Sequence, residues 1–251
     1  MRLVLVSTHL YVPAGVRAGG QCPADFRALH VIQMKQKNIF ITATILLILA
    51  FGIGAVYYQS QKAEKAVQTA KDNAVALMRA HSPSFGSITA PVHIVEFLDP
   101  ACGTCRDFYP RVKQLMEAHP GKIRVSVRYA PFHPGSDQVV RVMEAARNQG
   151  LFKETLEALF ASQEQWVRNH TAQLDLIWPS LSRIGLDMDR LKADMVRPEV
   201  AQLIQQDLVD ANTLNVTMTP EFFVNGKPLP NFGFEELKKL VDDALAEESK
   251  R

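Results

Sequence analysis

The sequence predicts an α/β domain with a long helical insertion, preceded by one membrane-crossing helix. Three observations carry this expectation. Ile39 to Tyr58 runs without a charged residue. From Val92 a strand pattern, an amphipathic helix and a second strand pattern follow in order. Between them and a C-terminal strand, turn and helix lies a segment, about 137–215, with helical patterning. At 251 residues with 47% hydrophobic and 22% charged content, the chain can bury one good core. A net charge of +2 calls for no nucleic acid or strongly acidic partner. Three cysteines cannot build a disulfide scaffold.

Residues 1–33 show no periodicity and several turn-forming residues, and "MKQKNIF" at Met34 reads like a natural start. The expectation is that 1–33 derive from an upstream start codon and form no domain, which leaves Cys22 without a role. Residues 34–60 read as a signal anchor, with about twenty apolar residues sufficing to cross a hydrocarbon layer. A cleavable signal peptide is the alternative, since Gly52 and Gly54 can mimic a cleavage site. Lysines flank both sides of the span, so charge alone does not set its orientation.

Residues 61–90 read as a helical stalk and linker. Ala63, Val67, Ala70, Ala74 and Leu77 form one short apolar seam. The prolines, glycine and serines of "HSPSFGSITAP" then place a domain boundary at His81–Pro91. The main folded domain is expected over 91–251. "VHIVEFL" (92–98) reads as a strand buried on both faces, with Glu96 as the misfit. The helix after it carries Phe108, Val112, Leu115 and Met116 on one stripe, with Gly121 as its stop. "IRVSVRY" (123–129) alternates, which predicts a strand with one solvated face. About five helical segments follow, with breaks at Gly150, Asn169 to Ala172, Gly185 and Pro198. "PEFFVNGKPLP" predicts a hairpin closed by Asn225-Gly226, with Pro228 on an edge strand, before a terminal amphipathic helix.

The chemistry centres on "DPACGTC". A thiol attacks a disulfide only as the thiolate, and an unassisted thiol is mostly protonated at neutral pH. Unpaired N–H groups at a helix start favour the anion, so Cys102 is the candidate nucleophile and Cys105 the resolving thiol. Structural zinc wants four ligands, whereas His81, His93, His119, His133 and His170 are scattered singly. A metal site and inert packing remain the competing readings of the pair.

"VEFLDPACGTC", Pro110 and "TMTPEFFVNG" together resemble the thioredoxin superfamily, and the helical insertion resembles its DsbA-like thiol:disulfide oxidoreductases. The resemblance covers Pro91 to the C-terminus. It implies a thioredoxin-like fold with a DsbA-type insertion and no cofactor beyond the Cys102–Cys105 disulfide. It also implies a cis-proline at Pro220, with the Thr219 backbone holding an extended substrate, and a buried acid at Glu96 that exchanges protons with Cys105. The Gly103-Thr104 pair departs from the Pro-His of strongly oxidising relatives, and Thr219 is common in isomerase-type members, so the direction of electron flow stays open. The function implied is disulfide exchange with cysteine-containing exported proteins, most naturally as an oxidant recharged by a DsbB-like, quinone-linked membrane partner. An isomerase or reductase fed by a membrane electron donor, and a copper carrier using the reduced dithiol, are the alternatives. Such chemistry places the domain in the periplasm, on a single-pass inner-membrane anchor.

Overall fold

The computed structural model describes residues 26–250. The expectations for residues 1–25, Cys22 included, lie outside the described residues. The chain divides into two compact units, Met1–Ser60 and Gln61–Arg251.

The helix α1 spans Phe26–Leu77. It therefore begins within the segment expected to be structureless, and Met34 marks no break in it. Its stretch Phe40–Lys62 has a mean hydropathy of 2.3 and is long and apolar enough to cross a membrane. Large apolar side chains along it, Phe40, Leu47, Phe51 and Ile53 among them, are exposed on all sides. A helix apolar all round does not suit water.

The unit from Gln61 is organised by one five-stranded sheet. Its strands are β1 (Ser84–Phe85), β2 (Val92–Leu98), β3 (Ile123–Tyr129), β6 (Glu221–Val224) and β7 (Lys227–Pro228). Their order is β1-β3-β2-β6-β7, with β2 and β3 parallel and every other pair antiparallel. The parallel pair is joined by α2 (Gly103–Ala118), as a βαβ crossover requires. Asn225 and Gly226 both take positive φ, which a tight hairpin of this kind demands, and Pro228 lies on the edge strand.

Between β3 and β6 lies the insertion. It comprises α3 (Ser136–Arg147), α4 (Phe152–Ala161), α5 (Gln163–Trp166), α6 (Trp178–Leu181), α7 (Met188–Met195) and α8 (Pro198–Thr213). The expected break at Asn169 to Ala172 is a small hairpin of β4 (Val167–Arg168) and β5 (Thr171–Ala172), turned by positive-φ Asn169 and His170. The chain closes with α9 (Phe234–Glu248).

Two expectations need correction. The boundary expected at His81–Pro91 falls inside the compact unit, and the end of α1 is part of the domain rather than a free stalk. Ala76 and Leu77 are buried, and Leu77 packs with Val95, Phe97, Ala211 and Phe223. The Asn73 amide donates to the Gly226 carbonyl at 3.4 Å. Leu77, the last residue of the seam, thus finds its apolar partner in the sheet.

The second correction concerns β3, which is not solvated on one face. Ser126 is buried and Arg128 is wholly so. Arg128 Nε donates to Asp207 at 2.8 Å, Nη2 to Asp210 at 2.6 Å and Nη1 to the Ala76 carbonyl at 2.5 Å. Asp210 also accepts two bonds from Arg79, and Asp207 accepts the Tyr129 N–H and pairs with His81. An alternating strand reads as half-solvated only when nothing polar covers it. Here α8 supplies the counter-charges and the end of α1 a carbonyl acceptor, which together let an arginine be buried.

Candidate active site

Cys102 is the N-cap of α2 and Cys105 lies in its first turn, so the helix start that the sequence implied is where the thiols stand. Phe108, Val112 and Leu115 bury the α2 stripe under the sheet, which fixes the helix on its βαβ crossover. Pro110 lies inside α2 and removes the bond its N–H would have made to the Arg106 carbonyl.

The two thiols have opposite environments. Cys102 is pulled down from an ordinary thiol pKa to about 5, first by a hydrogen bond from Cys105. Burial opposes this, and further hydrogen bonds from the Thr219 side chain and from the Cys105 and Thr104 backbone reinforce it. Cys105, fully buried, is pushed well above the thiol range by desolvation and by its bond to the Cys102 sulfur. A helix start acts on the thiol it faces, and depth in the core acts on the other.

Thr219 and Pro220 come to this site from the other end of the chain. The Thr219–Pro220 bond is cis, as the resemblance implied. Cys102 Sγ lies 3.2 Å from the Thr219 carbonyl, to which the thiol donates. Glu96 sits on β2, 2% exposed, with Oε1 lacking any hydrogen-bond partner. Burial, and then the Cys102 charge, raise its pKa to about 8, so it is mainly protonated at neutral pH. Its charge in turn acts on Cys105. Glu96 also lines a cavity of about 530 Å³ with Phe85, Leu98, Val112 and Leu156. All five residues singled out from the sequence therefore meet at one place.

Two contributors were missed. Asp99, fully buried, accepts from Ala101 N, His133 N and His133 Nδ1, each at 2.8 Å, and so holds the loop before the thiols. Gln163 donates to the Pro100 and Cys102 carbonyls at 2.8 and 3.0 Å. Asp99 stood in the quoted heptapeptide, and an acid between an apolar strand and a Pro-Ala turn is an available signal. Nothing local marks Gln163. The five histidines seen as scattered remain apart from the thiols in their contacts, with His81 on Asp207, His93 on Ser126 and His133 on Asp99. No cluster of three or more His, Cys, Asp or Glu that could hold a metal occurs among the described residues.

The family profile "Thioredoxin" matches residues 79–243. The chain belongs to the thioredoxin family. A thioredoxin-like oxidoreductase from Silicibacter pomeroyi superposes with a TM-score of 0.60 at 30% identity, over 68% of this chain and 96% of that one. BdbD from Bacillus subtilis shares the fold at a TM-score of 0.56 and 23% identity, over 66% of this chain and 94% of that one. A probable disulfide bond formation protein D from Bacillus anthracis is 29% identical, over 64% of this chain and 77% of that protein. A Na(+)/H(+) antiporter NhaA of Herminiimonas arsenicoxydans is 31% identical over 57% of this chain, and the chain spans only 22% of its length. Sheet, insertion and thiol-bearing helix thus follow a thioredoxin-like fold of DsbA type.

Proposed function

We propose that this chain is a thiol:disulfide oxidoreductase that passes its Cys102–Cys105 disulfide to cysteine-containing exported proteins. The observation that carries the reading is the asymmetry of the pair, with Cys102 at about 5 and Cys105 held well above the thiol range. A substrate thiolate attacks Cys102 Sγ, forming a mixed disulfide while the Cys102–Cys105 bond breaks. Cys105 departs as a poor leaving group and takes the proton of Glu96, which is protonated at neutral pH. A second substrate thiolate then attacks the substrate sulfur. Cys102 leaves as its stabilised thiolate, and the substrate is oxidised by two electrons as the pair is reduced. Water entering the cavity beside Glu96 restores its proton.

Thr219 and Pro220 stand beside the attacked sulfur, which supports a substrate strand hydrogen-bonding to the Thr219 backbone. Stabilising the thiolate favours the dithiol over the disulfide, which makes the pair an oxidant. Without a histidine between the cysteines, its potential is expected to lie between thioredoxin and the Pro-His enzymes. The apolar helix Phe40–Lys62 supports a single-pass anchor, with the domain in the periplasm and a DsbB-like, quinone-linked protein as the recharging partner. Ion exchange is not carried over from the antiporter relatives, of which this chain spans a small part.

The decisive experiment is trapping. Cys102→Ser should abolish exchange, while Cys105→Ser should accumulate mixed disulfides with exported proteins because the resolving thiol is gone. Equal trapping by both variants defeats the assignment of roles. Acid quenching and alkylation of growing cells should find the wild-type pair mainly oxidised. A mainly reduced pair points to an isomerase or reductase instead, and tight copper binding without exchange points to a carrier. An alkaline phosphatase fusion after Arg251 should be active if the domain faces outward.

A further inference from the structure

Side chains tie α2 and the thiol turn to the helical insertion, and one of them acts on the backbone of the turn itself. Arg106 pairs with Glu164 at 3.0 Å and Tyr109 donates to Glu157 at 3.0 Å, both from α2 to surface carboxylates. Gln163 is different. It is 3% exposed, and both bonds of its Nε2 go to main-chain carbonyls flanking Ala101, those of Pro100 and Cys102.

Its own position is tightly set. Ser162 ends α4, with its hydroxyl donating to the Ala158 carbonyl at 2.8 Å. Three residues on from Gln163, the fully buried Trp166 donates its indole N–H to the Leu159 carbonyl at 3.0 Å. The glutamine amide is therefore presented from a backbone whose flanking residues are hydrogen-bonded on both sides.

We propose that Gln163 is a positioning residue for the thiol pair: by holding the Pro100 and Cys102 carbonyls toward the insertion, its amide aims the N–H groups of Thr104 and Cys105 at the Cys102 sulfur and so sets the oxidising strength of the site. The geometry follows from the peptide unit. Cys102 has extended φ and ψ of −77° and 121°, and its carbonyl already accepts the first α2 bond from Arg106 N at 3.2 Å. Fixing that carbonyl fixes the plane of the next peptide and the direction in which the helix start points. Those backbone N–H groups are among the contacts that stabilise the Cys102 thiolate. Loss of the amide takes the Gln163 bond from the buried Pro100 carbonyl and leaves the Cys102 carbonyl with Arg106 N alone, so the turn is free to rotate away. The insertion thereby tunes the redox centre as well as flanking it.

The inference rests on the redox reading of the pair, and one experiment separates the two. In detergent-solubilised full-length protein, the Cys102 pKa is read from thiolate absorbance and the thiol–disulfide equilibrium from glutathione redox buffers. Gln163→Met, close in volume but unable to donate, should raise the Cys102 pKa by about one unit. It should shift the equilibrium about tenfold toward the disulfide, about 30 mV more reducing. Gln163→Glu should move both readings further in the same direction, since a carboxylate would face two carbonyls and the thiolate. Gln163→Asn, which keeps the amide but shortens its reach, covers the case in which the Met variant does not fold, and should shift both readings the same way. Variants with a lowered melting temperature but wild-type pKa and equilibrium overturn the proposal and leave Gln163 a packing residue. A wild-type protein that does not equilibrate with glutathione overturns instead the redox reading on which it rests.

Discussion

Two buried ionisable residues occupy neighbouring strands of one sheet and meet opposite fates. Glu96 on β2 stands opposite Val127 of β3, and Arg128, one residue on, stands opposite Phe97. Successive residues of a strand face opposite ways, so Glu96 lies on the α2 side and Arg128 on the side of α8 and the end of α1. Arg128 is fully paired with Asp207, Asp210 and the Ala76 carbonyl, and stacks on the Phe97 ring at 5.3 Å. Glu96 Oε1 has no partner. A satisfied buried charge holds elements together. An unsatisfied one is a group whose proton is free to move, at a cost in stability that a purely structural residue would not bear.

The strongest way to break this comparison is to unpair the satisfied side. Arg128→Met should destabilise the protein by about 3–5 kcal/mol, because two carboxylates stay buried without their shared cation. Exchange by the surviving folded fraction should be unaffected. Urea denaturation beside a per-molecule activity assay checks both, and a catalytic defect exceeding the stability loss would blur the distinction between the two faces.

Acting on Glu96 should do the reverse. Its folded pKa of about 8 lies above the ordinary 4.5, so the native state holds its proton while the unfolded chain gives it up. Below about pH 4.5 both states are protonated and Glu96 costs nothing by ionisation. As pH rises from there to 8 the native state loses stability, at about 1.4 kcal/mol per pH unit. Glu96→Gln should therefore match the wild type near pH 4.5 and exceed it by a few kcal/mol at pH 8, while slowing turnover by about 10²-fold. Equal stability at both pH values, or unchanged turnover, would return Glu96 to a structural role.

The same linkage at Cys102 runs the other way and is smaller in reach, since it exists only in the dithiol. Its pKa is lowered from 9.0 to about 5, so the reduced protein gains stability from it above pH 9 and loses that gain as pH falls to 5. The difference in melting temperature between reduced and oxidised protein should shrink across that window. The smallest effect expected is at the far hairpin. A Cβ at Gly226, where φ is +82°, would lie 2.9 Å from the Ala70 carbonyl oxygen of α1. Gly226→Ala should cost about 1–3 kcal/mol in thermal unfolding without changing exchange.

Local pattern carried much of this molecule into view. The apolar span, the strand at 92–98, the thiols at a helix start, the Asn225-Gly226 turn and the edge proline each depend on residues a few positions apart, whose period or backbone preference acts over that distance. Glu96 stood out because a carboxylate breaks an apolar run. The half-buried reading of β3 failed because the partners of Arg128 lie 79 and 82 residues further on, beyond the reach of any period. For the same reason the α1 seam read as a stalk, since the sheet that covers Leu77 is assembled from distant strands.

By itself, then, the sequence determined where the paired thiols lie and which elements carry them, because thiol spacing, helix starts and apolar alternation are short-range properties. Only the tertiary structure decided how each group is tuned. Cys102 and Cys105 are chemically identical, and they differ because Cys102 accepts a bond from Cys105, then from Thr219 and backbone N–H groups, while Cys105 is sealed in the core. Gln163 is an unremarkable polar residue until folding carries it onto the turn that holds the thiols. Desolvation and hydrogen-bond direction are properties of surroundings, and surroundings exist only once distant parts of the chain have packed together.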